Sequence, residues 1–272
     1  MNYALLSMIS PCLRWAGGKR WLIKYVDQLL PPNGFQNYHE PFLGGASMFL
    51  SIGLGHMSFL SDLNKELIET YIAIRDIPYD IISILSTYKN EKDFYYKIRS
   101  KRCKTEAEKA ARFIYLNQTS YNGIYRVNLK GEYNVPYGFR EKKVLDEKAI
   151  LDVSDSLQNM YLEVSDFDIV RKNIDRGDLV FLDPPYTVSH NNNGFIKYNQ
   201  KIFSLEDQYR LRTLIDYIEE IGAYYILTNA AHQTIKEIFS YGNRLIELNR
   251  ANLIGGINAQ RGQTSEYIFT NI

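Results

Sequence analysis

The stretch Leu179-Val180-Phe181-Leu182-Asp183-Pro184-Pro185-Tyr186 limits the folds open to this chain more than any other. Four apolar residues in a row predict a short buried strand. Pro184 and Pro185 have no amide hydrogen to give a sheet, so the strand stops before them. Their rings fix φ near about −65° and bias Asp183 away from helical backbone. A stiff corner carrying one carboxylate and one aromatic ring therefore leaves the carboxyl end of a strand. In an open α/β sheet that edge is where ligands bind.

The rest of the chain supplies the alternation that such a sheet needs. Arg14-Trp15-Ala16-Gly17-Gly18-Lys19 is a glycine turn with a cation and an aromatic, followed by helical spacing over 21–30 that Pro31-Pro32 ends. It is not a phosphate loop, because the first glycine is missing and Arg20 follows Lys19. Tyr38–Phe42 reads as a strand end, Leu43-Gly44-Gly45-Ala46-Ser47 as a tight turn, and Ser47–Ile52 as a helix start. Glycines there let a ligand approach the backbone, and a helix N-terminus offers unpaired N–H groups. The pattern is not G-x-G-x-x-G, which disfavours a nicotinamide or flavin cofactor. A second strand, Met57–Asn64, carries Asp62, 18 residues after Gly44, where a carboxylate can take ribose hydroxyls. The plainer reading is that Asp62 and Asn64 cap the helix Lys65–Arg75.

From Asp76 the pattern changes. Helices are expected over 81–88, 92–102 and 106–116, then a hairpin in which Arg126–Asn128 and Glu132–Val135 flank Lys130-Gly131. Between Lys89 and Lys143 there are 14 Lys/Arg against 6 Asp/Glu, although the whole chain has a net charge of only +1. Such a basic segment with aromatics and amides suits a polyanion; the plainer reading of its helical part is a solvated face with i,i+4 pairs. Strands resume at 160–164 and 179–182. A polar loop at 187–203 has the character of a lid, a helix runs from Ser204 to Ile221, and Gly222 stops it. A strand at 224–228, a helix at 233–239 and strands at 244–248 and 266–270 close the pattern. A polar loop at 251–264 carries Arg261.

Composition narrows the classes. No run of 18 apolar residues exists, so a soluble, cytoplasmic protein is expected. Met1–Leu13 lacks the basic start and cleavage site of a signal peptide. Cys12 and Cys103 sit in dissimilar surroundings, as in a reduced protein, and His39, His56, His190 and His232 show no ligand spacing, so no metal is expected. His190 and His232 read as loop or cap residues rather than acid–base groups. No activated serine or cysteine stands out. Methyl transfer from a sulfonium to an exocyclic amine needs none of these groups, only positioning. An Asp183 carboxylate and Pro184 carbonyl can accept from the amine and stabilise the charge that develops on it. A ring at Tyr186 can stack on a base that has left the duplex.

Taken together, Asp183-Pro184-Pro185-Tyr186, Glu40-Pro41-Phe42-Leu43-Gly44-Gly45 and Arg14–Lys19 resemble the α-group (D12 class) of DNA N6-adenine methyltransferases, which includes the GATC-type DNA adenine methylase. The likeness extends through Tyr121-Asn122-Gly123, Arg126 and Asn134-Val135-Pro136, and covers nearly the whole chain. It implies an α/β fold: a doubly wound, mostly parallel seven-stranded sheet with an inserted, mainly helical target-recognition domain carrying a β-hairpin. The implied divisions are a catalytic core at 1–75 and 158–272 and the insertion at 76–157. The implied reaction is site-specific transfer of a methyl group from S-adenosylmethionine to N6 of a flipped-out adenine in duplex DNA. The enzyme would be of restriction–modification or orphan type, a monomer, with a cognate restriction endonuclease as partner.

The resemblance also implies roles. Trp15, Lys19, Glu40, Phe42, Gly44, Gly45, Ala46 and Ser47 would line the methionine end of the cofactor. Asp62 would take its ribose, Asp166 and Phe167 its adenine, and Asp183 would border it as well. Asp183, Pro184, Pro185 and Tyr186 would hold the target adenine. Tyr121 and Asn122 would enter the duplex, and Arg14, Arg126, Asn134, Pro136 and Arg140 would meet DNA. The plainer readings are core packing for Trp15 and Phe167 and phosphate contact for Arg126 and Arg140. Leu-Gly-Gly-Ala-Ser replaces three consecutive glycines, and the loop at 187–203 and the Phe139-Arg140 segment differ from the GATC enzymes. These departures bear on the recognition sequence rather than the reaction. The rival activities are an RNA or cytosine-N4 methyltransferase, and a catalytically inactive sequence-specific DNA-binding protein.

Overall fold

Among the described residues seven strands form one sheet: β1 (Tyr38–Glu40), β2 (Ser58–Asp62), β3 (Tyr161–Val164), β4 (Leu179–Leu182), β5 (Tyr224–Ala230), β6 (Arg244–Ala251) and β7 (Gln263–Thr270). Their order is β3-β2-β1-β4-β5-β7-β6. The computed structural model describes residues 9–128, 130–141, 143–187, 203–240, 244–251 and 263–272. β2 and β3 are parallel, as are β1 and β4, and β4 and β5; β7 runs antiparallel between β5 and β6. The sheet is therefore mixed α/β and mostly parallel, as expected.

The chain divides into two units. The first comprises residues up to Tyr25 and Leu43–Ser165, the second Val26–Phe42 and Asp166–Ile272. In the first unit, β2 and β3 accompany five helices: α1 (Lys65–Asp76), α2 (Pro78–Ser86), α3 (Lys92–Ser100), α4 (Glu106–Thr119) and α5 (Glu147–Ser156). Helix α4 is the hub, packing on α1, α2 and α3, because Ala110, Ala111, Ile114 and Tyr115 are buried along it. Thr105 and Glu108 cap its start reciprocally. The small residues let neighbouring helices approach, and the cap satisfies N–H groups that a helix start leaves open. The segment 76–157 falls within this unit, together with α1, β2 and β3.

In the second unit all four residues of β4 are buried, as a continuous apolar run requires. Helices α6 (Val170–Asn173), α7 (Leu205–Ile221) and α8 (Gln233–Phe239) accompany β1, β4, β5, β6 and β7. Leu211, Leu214, Ile215 and Ile218 of α7 recur at helical spacing and pack against Val180, Leu182, Tyr225 and Leu227. Gly222, at φ +81°, supplies the left-handed residue that ends α7.

Two expected α-helices wind differently. The 21–30 segment is a 3₁₀ helix over Arg20–Gln28, and the 47–52 start is one wide π-type turn over Phe49–Gly53. Both follow glycine turns, and Gly53 itself lies in the second. Among the described residues no helix is long and apolar enough to cross a membrane.

Candidate active site

The second unit carries the carboxylate corner. β4 delivers Asp183 at its carboxyl end, and the prolines stop the ladder there. The Thr228 hydroxyl, on β5, donates to Asp183 Oδ1 at 2.7 Å. The Tyr186 hydroxyl donates to Glu266 Oε2, on β7, at 2.6 Å. Behind the corner, Gln208 of α7 donates to the Thr187 hydroxyl, which donates to the Phe203 carbonyl; Asn229 donates back to Gln208. Thr187, Gln208 and Asn229 are all buried. The corner thus hangs on α7, β5 and β7 as well as on β4. Pro184 is buried and Pro185 half-buried, so the backbone between the two polar side chains is packed in place.

Glu40 ends β1 as a buried carboxylate that accepts from the Tyr38 hydroxyl at 2.8 Å. β1 and β4 are parallel neighbours at the point where the strand order reverses. That reversal places Glu40 and Asp183 at adjacent carboxyl ends, the usual ligand edge of an open sheet. The Phe42, Phe167 and Phe203 rings pack together, with Phe42 and Phe167 centroids 5.6 Å apart. Asp166 precedes Phe167 and accepts from the Asp168 N–H, which starts a helical turn. Arg210, on α7, grips this segment. Its guanidinium bonds Asp166, Asp168 and Asp207 and lies 4.7 Å over the Phe167 ring. Those three carboxylates hold the guanidinium well above its ordinary pKa, the Asp166 hydrogen bond most of all.

The first unit carries the glycine turn. Gly44 has φ +47° and Ala46 φ +56°, so the backbone doubles back between them. The Trp15 ring lies against this turn: a methyl carbon on Gly44 would meet Trp15 Cδ1 at 2.7 Å. Glycine at this turn was expected for ligand approach; packing of Trp15 already requires it. Trp15 stacks in turn on Tyr125, whose hydroxyl donates to Glu66. Asp62 joins two elements. It accepts from the Gly44 N–H at 3.1 Å and from the Asn64 N–H at 2.9 Å, and Asn64 caps α1. Burial pushes the Asp62 carboxyl above its usual pKa, against the pull of these two bonds. The capping reading is right for Asn64, while Asp62 braces the glycine turn. Lys19 is buried and its amine donates to the Gly17 carbonyl at 2.8 Å. Ser47 accepts at its carbonyl from the Ser51 hydroxyl.

The expected DNA-facing residues share the first unit. The hairpin exists in short form: Val127 pairs with Tyr133, Asn128 N–H donates to the Glu132 carbonyl, and Asn134 N–H to the Arg126 carbonyl. The exposed Arg126 donates from Nε to Asn134 Oδ1 at 2.8 Å, so the side chain is aimed by its cross-strand neighbour. The Pro136 carbonyl accepts from the Tyr121 N–H. Tyr121 and Asn122 are exposed, and Asn122 takes φ +55°, a left-handed position that asparagine tolerates. Gly123 abuts the Arg14 side chain, and the Arg14 backbone is bonded on both sides by the buried Asn117 amide. Burial, then the nearby Arg140 charge, lowers the Arg14 pKa.

Sequence reading missed Thr228, Glu266, Gln208 and Arg210, each of which holds a group 21 to 80 residues away. Nothing local marks such partners. His190 and Arg261, with most of the loops that hold them, lie outside the described residues. Among the described residues no three His, Cys, Asp or Glu side chains gather as metal ligands.

Comparison with known proteins places these features in a family. Residues 15–252 match the model of the D12 class N6 adenine-specific DNA methyltransferases. The type II methyltransferase M1.LlaDCHI of Lactococcus lactis subsp. cremoris is 33% identical, across 97% of this chain and 95% of its own. The type II methyltransferase M.MjaIII of Methanocaldococcus jannaschii is 34% identical over 82% and 84% of the two chains. The DNA adenine methylase of Escherichia coli K12 is 28% identical over 82% and 81%. With the Asp-Pro-Pro-Tyr corner ending β4 and the glycine turn braced by Asp62, this chain belongs to the D12 class N6 adenine-specific DNA methyltransferases.

Proposed function

We propose that this enzyme takes its methyl group from S-adenosylmethionine and acts on an adenine flipped out of duplex DNA, with Asp183 as the acceptor for the amine. The observation that carries this reading is the Asp183 carboxylate, held at 2.7 Å by Thr228 at the end of a fully buried strand. A preorganised acceptor costs no rearrangement as positive charge grows on the nitrogen. The Pro184 carbonyl, fixed between two rigid residues, is the second acceptor. Tyr186 presents its ring to the base, and stacking of this kind contributes about 1–3 kcal/mol toward a flipping cost of a few.

The donor set fits the cofactor. Asp62, half-buried beside a backbone turn, can accept from a ribose diol, Asp166 and Phe167 offer an acceptor and a ring for its adenine, and Lys19 offers a cation for its carboxylate. Glu40, Phe42 and the Gly44–Ser47 turn serve the methionine part. S-adenosylmethionine supplies an already activated methyl group when bound. Residues 76–157 form the target-recognition segment. Tyr121 and Asn122 fill the place the base leaves, Arg126, Asn134, Pro136 and Arg140 read or grip the duplex, and Arg14 supports them. A cognate endonuclease cutting the same site is the natural partner, and a single copy of the chain suffices for the reaction.

The test is methyl transfer from labelled S-adenosylmethionine to DNA free of adenine methylation, followed by nucleoside analysis. N6-methyladenine is expected, and Asp183→Ala should lose at least about a hundredfold to a thousandfold of kcat while still binding duplex. N4-methylcytosine or methylated RNA as the sole product would overturn it. So would absence of cofactor binding in calorimetry, which favours an inactive DNA-binding protein. Single-molecule sequencing of the methylated DNA then reads out the recognition site.

A further inference from the structure

Asp183 and Tyr186 are each held by a side chain from another strand, and these two holders have unusual surroundings. Glu266 is 0% exposed, at the β7 position paired with Ala230 of β5. A carboxylate buried in a sheet costs several kcal/mol unless it is hydrogen-bonded. An apolar residue would fill that volume more cheaply, so a bare packing role does not account for it. Its Oε2 accepts the Tyr186 hydroxyl at 2.6 Å, within the range of a charge-assisted bond. Thr228 lies one residue beyond Leu227, the last β5 partner of β4, so its hydroxyl meets the residue that follows Leu182. That hydroxyl has one proton. Asp183 Oδ1 stands at 2.7 Å and the Leu182 carbonyl at 3.4 Å, so the carboxylate receives it.

We propose that Glu266 and Thr228 are positioning residues for methyl transfer: Glu266 fixes the position of the Tyr186 ring, and Thr228 fixes the rotation of the Asp183 carboxylate. This rests on reading Asp183–Tyr186 as the corner that holds the target adenine. A phenol ring can turn about its Cα–Cβ and Cβ–Cγ bonds; tying its hydroxyl to a buried group stops the swing about Cα–Cβ, and the in-plane preference of a phenolic O–H biases the turn about Cβ–Cγ, before the base arrives. A carboxylate left to rotate would spend part of its time with neither oxygen on the amine. Since in-line transfer is sensitive to displacements of about 1 Å, loosening either group should appear in the chemical step. Thr187, held by Gln208, steadies the backbone just after Tyr186, and Glu266 and Thr228 act on the two side chains.

The experiment compares steady-state methylation by wild type, Thr228→Val, Thr228→Ser, Glu266→Gln, Tyr186→Phe and the Glu266→Gln/Tyr186→Phe double variant, on DNA free of adenine methylation. Thr228→Val keeps the shape and removes the hydroxyl; kcat should fall about 10- to 100-fold, with KM for DNA and cofactor within about twofold. Thr228→Ser should recover most of the loss. Tyr186→Phe removes the bond and should lower kcat about tenfold; Glu266→Gln keeps an acceptor oxygen but removes the carboxylate charge, so it should lower kcat less, and the double variant should match Tyr186→Phe, because both act through one bond. Unchanged kcat in Thr228→Val, no recovery in Thr228→Ser, or additive losses in the double variant would overturn the proposal. If Glu266→Gln shows no cooperative thermal unfolding, the kcat and KM of Tyr186→Phe decide for that arm, a loss confined to kcat supporting it and unchanged kcat overturning it. A wild type that methylates no adenine would remove the reading beneath the proposal; an active wild type with unaffected variants would remove the proposal alone.

Discussion

A methyl carbon added at Gly44 would sit 2.7 Å from Trp15 Cδ1, and the residue's φ of +47° already disfavours a side chain. Both costs are steric and they are separable. Gly44→Ala should destabilise the protein by about 2–4 kcal/mol, the overpacking and backbone strain together. In a Trp15→Ala background the same change should cost only about 1–2 kcal/mol, the backbone part. Urea unfolding of the four proteins measures this, and equal costs in both backgrounds would remove Trp15 from the explanation. The motif residues themselves were legible in the sequence, but the reasons for them were not. Gly44 faces a ring 29 positions earlier, and Asp62 bonds to a turn 18 positions earlier. Spacing along a chain reveals which residue types recur, and only the folded backbone reveals which of them touch.

Elements were legible where a continuous pattern defined them. β4 at 179–182 and α8 at 233–239 have the expected limits, because an apolar run ends at prolines in one case and His232 caps the start in the other. What joins the elements was hidden. His39 of β1 meets Asp178, just before β4, at 2.9 Å with both side chains buried. Burial alone would raise the Asp178 pKa, but hydrogen bonds from His39 and from the Asp175 and Asn37 N–H groups overcome it and hold the carboxyl below the usual value. A carboxyl lowered by folding contributes stability above its unfolded pKa of about 4, and that stability is lost as the pH falls through the folded value. Unfolding free energy measured from pH 6 down to 3 should therefore decline, and Asp178→Asn should flatten the decline. A variant with an unchanged slope would exclude this pair as its source. Helix α7 offers a second test, through Arg210. Arg210→Gln should raise KM for S-adenosylmethionine several-fold with kcat little changed, because it frees Asp166 and Phe167. Stability should change by less than about 1 kcal/mol, as the cluster is part-exposed. A kcat loss with constant KM would contradict that assignment.

Across the whole molecule, charge is distributed more unevenly than the net of +1 suggests. The excess of eight positive charges between Lys89 and Lys143 belongs to the unit that also holds Tyr121, Asn122 and the hairpin. DNA affinity should fall steeply with salt, each phosphate contact adding about 0.9 to the log–log slope. Lys130→Glu, at the exposed hairpin turn, should make that slope shallower by about one, whereas Arg126→Ala should relax base preference by about 1–3 kcal/mol at one position. Fluorescence anisotropy across a salt series on matched and mismatched duplexes separates the two, and a reversed pattern would exchange their roles. The antiparallel course of β7 has a consequence in time rather than in space. Because that strand runs against β5, its beginning, with Glu266, reaches the edge where β4 delivers Asp183. Every other residue assigned to the corner is translated before it. Glu266 is thus the last of the corner residues to be made. A nascent chain still short of β7 would lack the carboxylate that holds Tyr186, so a truncation before Gln263 should methylate poorly if Asp183–Tyr186 is the corner that holds the base.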